Sequence, residues 1–170
     1  GQQKGIYVIS ANYTDKGANG LPALSIESET ISLNAPIHIS KGSGKVDGFL
    51  ASIHGKGAKN IRNHHIGDYT DQETTLSWQI VVTDPGTYKV SLNQVVKDNH
   101  AGSEFELQIN NQVLKGVIKG SKAWHLYIDL ELGEVNLPKG TYALRFVPTK
   151  KRKHFIGNIK HIEFIKTGKL

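Results

Sequence analysis

The stretch of residues 66–92, IGDYTDQETTLSWQIVVTDPGTYKVSL, predicts how the rest of the chain folds. It opens with a loop of small and acidic residues around one aromatic residue, Tyr69. Apolar and polar residues then alternate over residues 76–82 and again over residues 88–92, which is the period-two pattern of half-buried β-strands. The tripeptide DPG at residues 84–86 is a turn signal, because proline restricts φ and glycine accepts positive φ. Two amphipathic strands joined by a turn, with a loop at one end, predict a β-sandwich that carries a ligand-binding loop.

The same alternation continues along most of the chain, with Gly or Pro turns at a spacing of roughly ten residues. No segment carries the i, i+3, i+4, i+7 apolar repeat of an amphipathic helix. The sequence therefore predicts an all-β fold, an antiparallel β-sandwich. Further strands are predicted at residues 6–9, 24–26, 30–33, 49–53, 105–109, 112–114, 124–130, 142–146 and 162–164.

One internal linker is predicted, the KGSGK tract at residues 41–45 after Pro36. It separates an N-terminal β segment, residues 1–40, from a sandwich at residues 46–170. We expect the N-terminal segment to belong to the sandwich or to pack on it. Because the chain begins at Gly1 rather than at a methionine, we expect it to be an excised or processed form of a longer protein.

The 170 residues suffice for one domain with a hydrophobic core. The absence of cysteine excludes a disulfide framework and a thiolate metal site, and no apolar run reaches the about 18 residues of a membrane-spanning helix. The net charge of +6 is unevenly placed, since residues 111–170 carry 12 basic and 4 acidic side chains. This basic part favours an anionic partner, such as a sulfated or carboxylated polysaccharide, a nucleic acid or an acidic surface, and a solvated surface is the other interpretation.

Several motifs occur in an order that is similar to a known family. They are PGTYKV at residues 85–90, a Trp-containing loop before a strand at residues 121–130, LPKGTY at residues 137–142, and an Asn opening the last strand in IGNIKHIEFI at residues 156–165. Together they resemble the galactose-binding-like, jelly-roll sandwich of family 6 carbohydrate-binding modules, most of all the variant attached to secreted fucosidases and sulfatases. The resemblance covers residues 46–165.

The resemblance implies that sugar binds in a cleft between loops at one edge of the sandwich. In the family, two aromatic side chains flank the sugar ring and an Asn hydrogen-bonds its hydroxyls, roles that fall here on Tyr69, Trp124 and Asn158. A pyranose suits such a site, because its C–H face packs on an aromatic ring while its hydroxyls need donors and acceptors. From the residues alone, Tyr69 is expected to be exposed and Trp78 to lie in the core. Trp124 has the phase of a core residue as well, and Asn158 has a second interpretation as a residue that only pairs the last strand.

Basic residues occur in three of the loops that the resemblance places around the cleft. An arginine guanidinium matches the oxygens of a sulfate in a bidentate way. We therefore expect a cationic rim and an anionic glycan, sulfated or uronic and of marine or algal type, with a merely solvated rim as the alternative. The expected ligand-binding residues are Tyr69, Trp124, Asn158, Arg62, His64, Lys122, Lys151 and Arg152.

The resemblance also implies a structural calcium, held by acidic residues near the start of the module and in its last strand. The corresponding stretches, LASIHG at residues 50–55 and NIKHIEF at residues 158–164, are short of these carboxylates, so we expect no cofactor. The chain has eight histidines. The adjacent His64 and His65 would point to opposite sides of an extended chain, and no HxH or HExxH spacing occurs, so we expect no metal site.

Catalytic motifs are missing from the sequence, which contains no GxSxG, no recognisable glycosidase carboxylate pair and no Gly-rich phosphate loop. We expect a carbohydrate-binding module rather than an enzyme. It would hold a tethered catalytic domain on a polysaccharide outside the cell, as a secreted, periplasmic or cell-surface protein without a membrane or nucleic-acid partner. Two alternatives stay open. A small polysaccharide lyase would need a His, a Tyr and an Arg in one cleft, and a nucleic-acid-binding domain would need exposed aromatic residues along a basic groove.

Overall fold

The structure is a computed structural model that describes residues 10–16, 22–27 and 35–170. The chain divides into two compact units, residues 1–33 and residues 34–170. The tract at residues 41–45 is part of the second unit, so the boundary precedes the predicted linker. Lys41 and Gly42 form a turn with positive φ angles of 51° and 81°, and the tract continues directly into a strand.

The first unit contains an antiparallel hairpin. Strand β1 spans Ser10–Lys16 and pairs with β2, which spans Pro22–Glu27. The second of these strands includes the one predicted at residues 24–26. The strands predicted at residues 6–9 and 30–33 lie outside the described residues.

The second unit consists of short and long strands joined mostly by turns. Two 3-10 helices lie at Gly48–Leu50 and Asp98–His100, and no helix among the described residues is long and apolar enough to cross a membrane. The strands are β3 (Ile37–Ile39), β4 (Ser43–Asp47), β5 (Ser52–His54), β6 (Lys59–Ile61), β7 (His65–Gly67), β8 (Thr75–Val82), β9 (Gly86–Val95), β10 (Glu104–Ile109), β11 (Gln112–Val117), β12 (Ile128–Leu137), β13 (Gly140–Lys150) and β14 (Asn158–Gly168).

These strands form two six-stranded sheets. The first sheet has the order β11-β10-β13-β8-β3, and β5 also pairs with β8. The second has the order β12-β9-β14-β7-β6, and β4 also pairs with β14. Among the described strands every pairing is antiparallel except that of β3 with β8. The predicted all-β fold, an antiparallel β-sandwich, is confirmed.

The core contains the inward side chains of the long strands. In β8 and β9 burial alternates from one residue to the next, as the sequence pattern predicts. Trp78 is 2% exposed and donates its indole N–H to the carbonyl oxygen of Asp47 at 3.0 Å, so its predicted core position is confirmed. Phe105 and Phe146, on neighbouring strands, stack with ring centroids 4.6 Å apart. Burial of each such phenylalanine side chain contributes about 1.5–3 kcal/mol to stability.

Tyr69 is also a core residue, and its predicted role as an exposed sugar platform is wrong. It is fully buried, its ring lies 5.9 Å from that of Phe146, and its hydroxyl donates to the carbonyl oxygen of Thr74. The loop folds back on itself because the Asp71 carboxylate accepts hydrogen bonds from the Glu73 N–H at 3.0 Å and the Thr74 hydroxyl at 3.1 Å. Burial raises the pKa of the Tyr69 hydroxyl, which therefore stays protonated as a donor.

Truncating Tyr69 tests this correction. We expect Tyr69→Ala to lower the free energy of unfolding by about 3–5 kcal/mol, because it leaves a cavity in the core. Tyr69→Phe should cost about 1–3 kcal/mol, because the buried Thr74 carbonyl loses its donor. Urea unfolding followed by tryptophan fluorescence measures both values.

The matched control is Tyr142→Phe, which also removes a hydroxyl bonded to a backbone carbonyl, that of Pro138 at 2.7 Å, but in a hydrogen bond that is exposed to solvent. We expect it to cost less than Tyr69→Phe, since water replaces the lost bond. A Tyr69→Ala variant as stable as the wild type would contradict the core assignment.

Candidate functional site

Several loops meet at one end of the sandwich, because the strands that carry them are paired there. In the second sheet Ile128, which begins β12, lies opposite Gln94, and Asn158, which begins β14, lies opposite Val95. The loops that precede β12 and β14 therefore emerge side by side. The turn between β6 and β7 lies at the same end of the sheet, because Ile66 of β7 pairs with Ile159 of β14.

These loops enclose a cleft of about 240 Å³, here called the Trp124 cleft. Two of the predicted ligand-binding residues, Trp124 and Asn158, lie in it together. Its lining residues are Ile61, His65, Asp68, Trp124, Phe155 and Asn158.

The aromatic wall of the cleft consists of Trp124 and Phe155, whose ring planes are nearly perpendicular at 88° with centroids 5.4 Å apart. His100 supports both, with ring centroids 5.2 Å from Phe155 and 6.2 Å from Trp124. Both aromatic residues are partly buried against the core. Trp124 is thus held by its neighbours with part of its ring open to the cleft.

The predicted strand at residues 124–130 is shorter in the structure, because β12 begins only at Ile128. Trp124 lies in the loop before that strand, and Leu126, which the alternation places in the core, is 46% exposed. The apolar–polar alternation of the sequence therefore starts at Trp124, before the strand itself starts at Ile128. Trp124 is a partly buried wall of the cleft rather than a strand residue of the core.

The polar wall includes the side chain of Asn158, and Tyr127 lies beside it. Burial raises the pKa of the Tyr127 hydroxyl, and the nearby Asn158 side chain acts in the opposite direction. The ammonium group of Lys160 lies 4.8 Å from the centroid of the Tyr127 ring, which is a cation–π distance. Asn158 therefore lies beside Tyr127 and in the lining of the cleft.

His64 and His65 contact each other, so the expectation that they point to opposite sides is wrong. Their Nδ1 atoms are 2.8 Å apart and their ring planes are perpendicular. The physical reason is the turn before them, where Arg62 and Asn63 have φ angles of 51° and 54°, so the chain is not extended. Burial, then His64 and Lys160, lower the pKa of His65 below its usual 6.5, against the opposing effect of the Asp68 carboxylate.

The predicted basic rim lies on the loops around the cleft and not in its lining. Arg62 and His64 are exposed in the turn between β6 and β7, and Lys122 is exposed in the loop of Trp124. Lys151 donates its side-chain ammonium to the carbonyl oxygen of Thr70 at 2.7 Å, which directs it to a neighbouring loop. Arg152 has an exposed side chain.

The charged groups of the lining are therefore different from those predicted. The lining contains one carboxylate, Asp68, whose side chain is 57% exposed and lies 3.4 Å from the ammonium of Lys59. It contains one titratable imidazole, that of His65. Neither Lys nor Arg lines the cleft. Among the described residues, no group of three or more His, Asp or Glu side chains is placed to hold a metal ion.

Sequence reasoning missed three residues at the site: Phe155 and Asp68 in the lining, and Tyr127 beside it. A signal existed for Phe155, which is the aromatic residue of the loop that leads to Asn158. Asp68 directly precedes Tyr69 and has a positive φ of 48°, so the side chains of the two residues diverge, one to the cleft and one to the core. An apolar wall opposite amide, imidazole and carboxylate groups can hold a ring with one apolar face and hydrogen-bonding edges.

Comparison with known proteins supports the fold. No curated protein matches the sequence. Among solved structures, a family 35 carbohydrate-binding module from Clostridium thermocellum has a TM-score of 0.60 and 11% identity, over 74% of this chain and 98% of that one. The C-terminal family 6 module of LamC, a marine laminarinase from Zobellia galactanivorans, has a TM-score of 0.58 and 16% identity, over 73% and 99%.

The mosquito-larvicidal Cry4Aa toxin from Bacillus thuringiensis also contains this fold, with a TM-score of 0.64 and 14% identity over 86% of this chain. The chain spans only 27% of the toxin. At these identities the similarities show the fold alone, and they confirm the predicted resemblance to the sandwich of carbohydrate-binding modules. The family model of a domain of unknown function, DUF5077, matches residues 48–167, which is more than half of the chain. The chain therefore belongs to the DUF5077 family, and its second unit has the fold of a carbohydrate-binding module.

Proposed function

We propose that the second unit is a non-catalytic carbohydrate-binding module and that the Trp124 cleft is its sugar site. One observation carries the proposal: the cleft places the rings of Trp124 and Phe155 opposite the polar side chains of Asn158, His65 and Asp68. The names of two solved structures with the same fold, a family 35 and a family 6 carbohydrate-binding module, support it.

The two walls suit the two kinds of surface on a pyranose. The C–H face of the sugar packs against the exposed part of Trp124. Its hydroxyls reach the Asn158 amide, which donates and accepts, and the Asp68 carboxylate, which accepts. The volume of about 240 Å³ is smaller than the roughly 300–1,000 Å³ of pockets for drug-sized ligands, so the cleft takes one sugar ring.

The partner of the cleft is a polysaccharide or oligosaccharide, and the consequence of binding is targeting. A module that holds a polysaccharide raises the local concentration of substrate around a tethered catalytic domain. Secretion or display at the cell surface would bring the module and its catalytic domain to the polysaccharide. Trp124, Phe155 and Tyr127 gather around one cleft, which suits a single ring better than the run of stacked bases that single-stranded nucleic acid needs.

The finer proposal is that the polysaccharide is anionic, sulfated or uronic. Its support is the exposed basic side chains on the loops that carry the lining residues, among them Arg62, Lys122 and Arg152. These groups would contact charged substituents on the units next to the bound ring. Attraction at such exposed positions is screened by salt, with a Debye length of about 8 Å at physiological ionic strength.

A polysaccharide lyase is the second candidate, because His64 and His65 lie with their ring centroids 6.1 and 6.3 Å from that of Tyr127. Burial raises the pKa of Tyr127, so its hydroxyl stays protonated and suits the acid of such a lyase rather than the base. The arginine that the lyase also needs is missing from the lining of the cleft. We expect no turnover. The test is ultraviolet absorbance during incubation with alginate and pectin, and growth of an unsaturated-uronate signal that Tyr127→Phe abolishes would favour the lyase.

The sugar site is tested by Trp124→Ala, with Trp78→Ala as the matched control. On a glycan array and by titration calorimetry with the glycan that binds, Trp124→Ala should weaken binding at least about tenfold, or 1.4 kcal/mol, through the loss of the apolar wall. Its stability should change little compared with Trp78→Ala, which should lose about 3–5 kcal/mol from the core. If no neutral or anionic glycan binds the wild type, the proposed function is wrong, and if Trp124→Ala binds normally, the cleft is not the site.

The anionic ligand is tested by the double variant Lys122→Ser and Arg152→Ser. We expect weaker binding to sulfated glycans and a flatter loss of affinity between about 50 and 500 mM salt, because fewer exposed charges contribute. The matched control is Lys139→Ser with Lys169→Ser, an equal change in charge at two exposed positions at the other end of the sandwich. Equal behaviour of the two double variants would show that the basic loops near the cleft are only a solvated surface.

A further inference from the structure

The Nδ1 atoms of His64 and His65 face each other at 2.8 Å, and His65 lines the Trp124 cleft while His64 is exposed. A contact of this length between two imidazole nitrogens is a hydrogen bond, so one Nδ1 carries a proton and the other offers its lone pair. At least one of the two rings is therefore neutral in this arrangement.

The turn that carries the pair is held by hydrogen bonds whose groups do not titrate. Asn60 donates its side-chain amide to the Asn63 side-chain carbonyl and accepts the Asn63 backbone N–H, both at 2.9 Å, and Ile61 pairs with His65 across the turn. Protonation therefore changes the side chains and not the path of the turn.

Proton counting gives three states. With no added proton, one neutral ring donates to the other, and with one added proton, an imidazolium donates to a neutral ring. With two added protons both Nδ1 atoms carry hydrogen, so the bond is lost and two like charges face each other. The exposed His64 then rotates into solvent, and His65 becomes a cation in the wall of the cleft.

The groups that face His65 determine the pH at which its ring becomes protonated. Lys160, on β14, and His64 disfavour its charged form, as does burial, whereas Asp68 favours it. The ring of Tyr127, on the loop before β12, is neutral, and Lys59 lies beside Asp68. Because the pKa of His65 is lowered, its ring is neutral at pH 7 and gains its charge only below the ordinary 6.5.

The charge of the cleft lining follows from this titration. With His65 neutral, the charged group of the lining is the Asp68 carboxylate. Its ion pair with Lys59 is exposed and therefore weak, so a sulfate or uronate on the bound ring is repelled. With His65 protonated, the two charges cancel within the cleft, and the repulsion is relieved.

We propose that the His64–His65 pair determines which sugar rings the Trp124 cleft accepts: uncharged rings at neutral pH, and sulfated or uronic rings as well at acidic pH. This inference rests on the proposed function. It adds that, at neutral pH, the anionic substituents of the polysaccharide lie outside the cleft, against the exposed basic loops.

The first part of the test needs no ligand. The imidazole signals of His64 and His65 are followed by nuclear magnetic resonance from about pH 8 to pH 5. We expect two coupled steps, with His65 gaining its proton below 6.5. In His64→Gln, the Nδ1–Nδ1 bond is absent and we expect His65 to titrate in one step. Independent titration of the two rings near 6.5 in the wild type would overturn the proposal.

The second part uses inorganic sulfate as a stand-in for a sugar sulfate, against chloride at equal ionic strength. Binding is read from the Trp124 indole N–H and the Asn158 amide signals. We expect the wild type to bind sulfate at least about fivefold more tightly at pH 5 than at pH 7.5, as an added cation beside the anion requires. His65→Gln should lose this difference.

The matched control is His38→Gln, an exposed histidine on β3, which pairs with Val81 far along β8 from the cleft. It should keep the wild-type pH dependence. Sulfate binding that is independent of pH, or a pH dependence that survives in His65→Gln, would overturn the proposal. Failure of every glycan to bind at both pH values would instead overturn the proposed function, since the sulfate measurement involves no sugar.

Discussion

The pairing of β9 with β12 on one side and with β14 on the other is the constraint on which the second unit depends. The inward residues of β9, Tyr88, Val90 and Leu92, are fully buried. A slip of one residue would turn them to the solvent face, so the register is strongly specified. The same register places the starts of β12 and β14 beside each other, which brings the loops of the Trp124 cleft together.

The cleft is built from loops, yet the core holds those loops in place. Tyr69 inserts into the core and fixes the loop that also carries Asp68, and its carbonyl oxygen accepts the Ile156 N–H at 2.7 Å, next to Phe155. Lys151 ties the same two loops through the Thr70 carbonyl. Because these contacts order the loops without a ligand, the proposed binding of a sugar would cost less conformational entropy than it would with mobile loops.

Net charge is a poor guide to the electrostatics of this site. The chain carries +6, but the lining of the cleft contains a carboxylate and no lysine or arginine. Coulomb energy falls with distance and exposed charges are screened within about 8 Å. The electrostatic interaction of a group bound in the cleft would therefore depend mainly on Asp68 and on the protonation state of His65. The basic loops would interact with the parts of a ligand that lie outside the cleft.

Alternation along the sequence predicts the all-β class, the long strands around residues 76–92 and 105–109, and the core position of Trp78. These features are local, because burial on one face of a strand repeats every second residue. Trp124 and Asn158 followed from the resemblance to a known family, and the structure places both in one cleft.

The rest of the site depends on contacts that form only when the chain is folded. Tyr69 lies in the core, where it packs against Phe146, and Phe155 forms a wall of the cleft, where it packs against Trp124. Both contacts join residues that are far apart in the chain. His64 and His65 face each other because the two residues before them, Arg62 and Asn63, adopt positive φ angles. The adjacent histidines alone do not predict that turn. Period-two patterning cannot reveal such features, since it describes strands, whereas this site consists largely of loops whose shape depends on distant contacts.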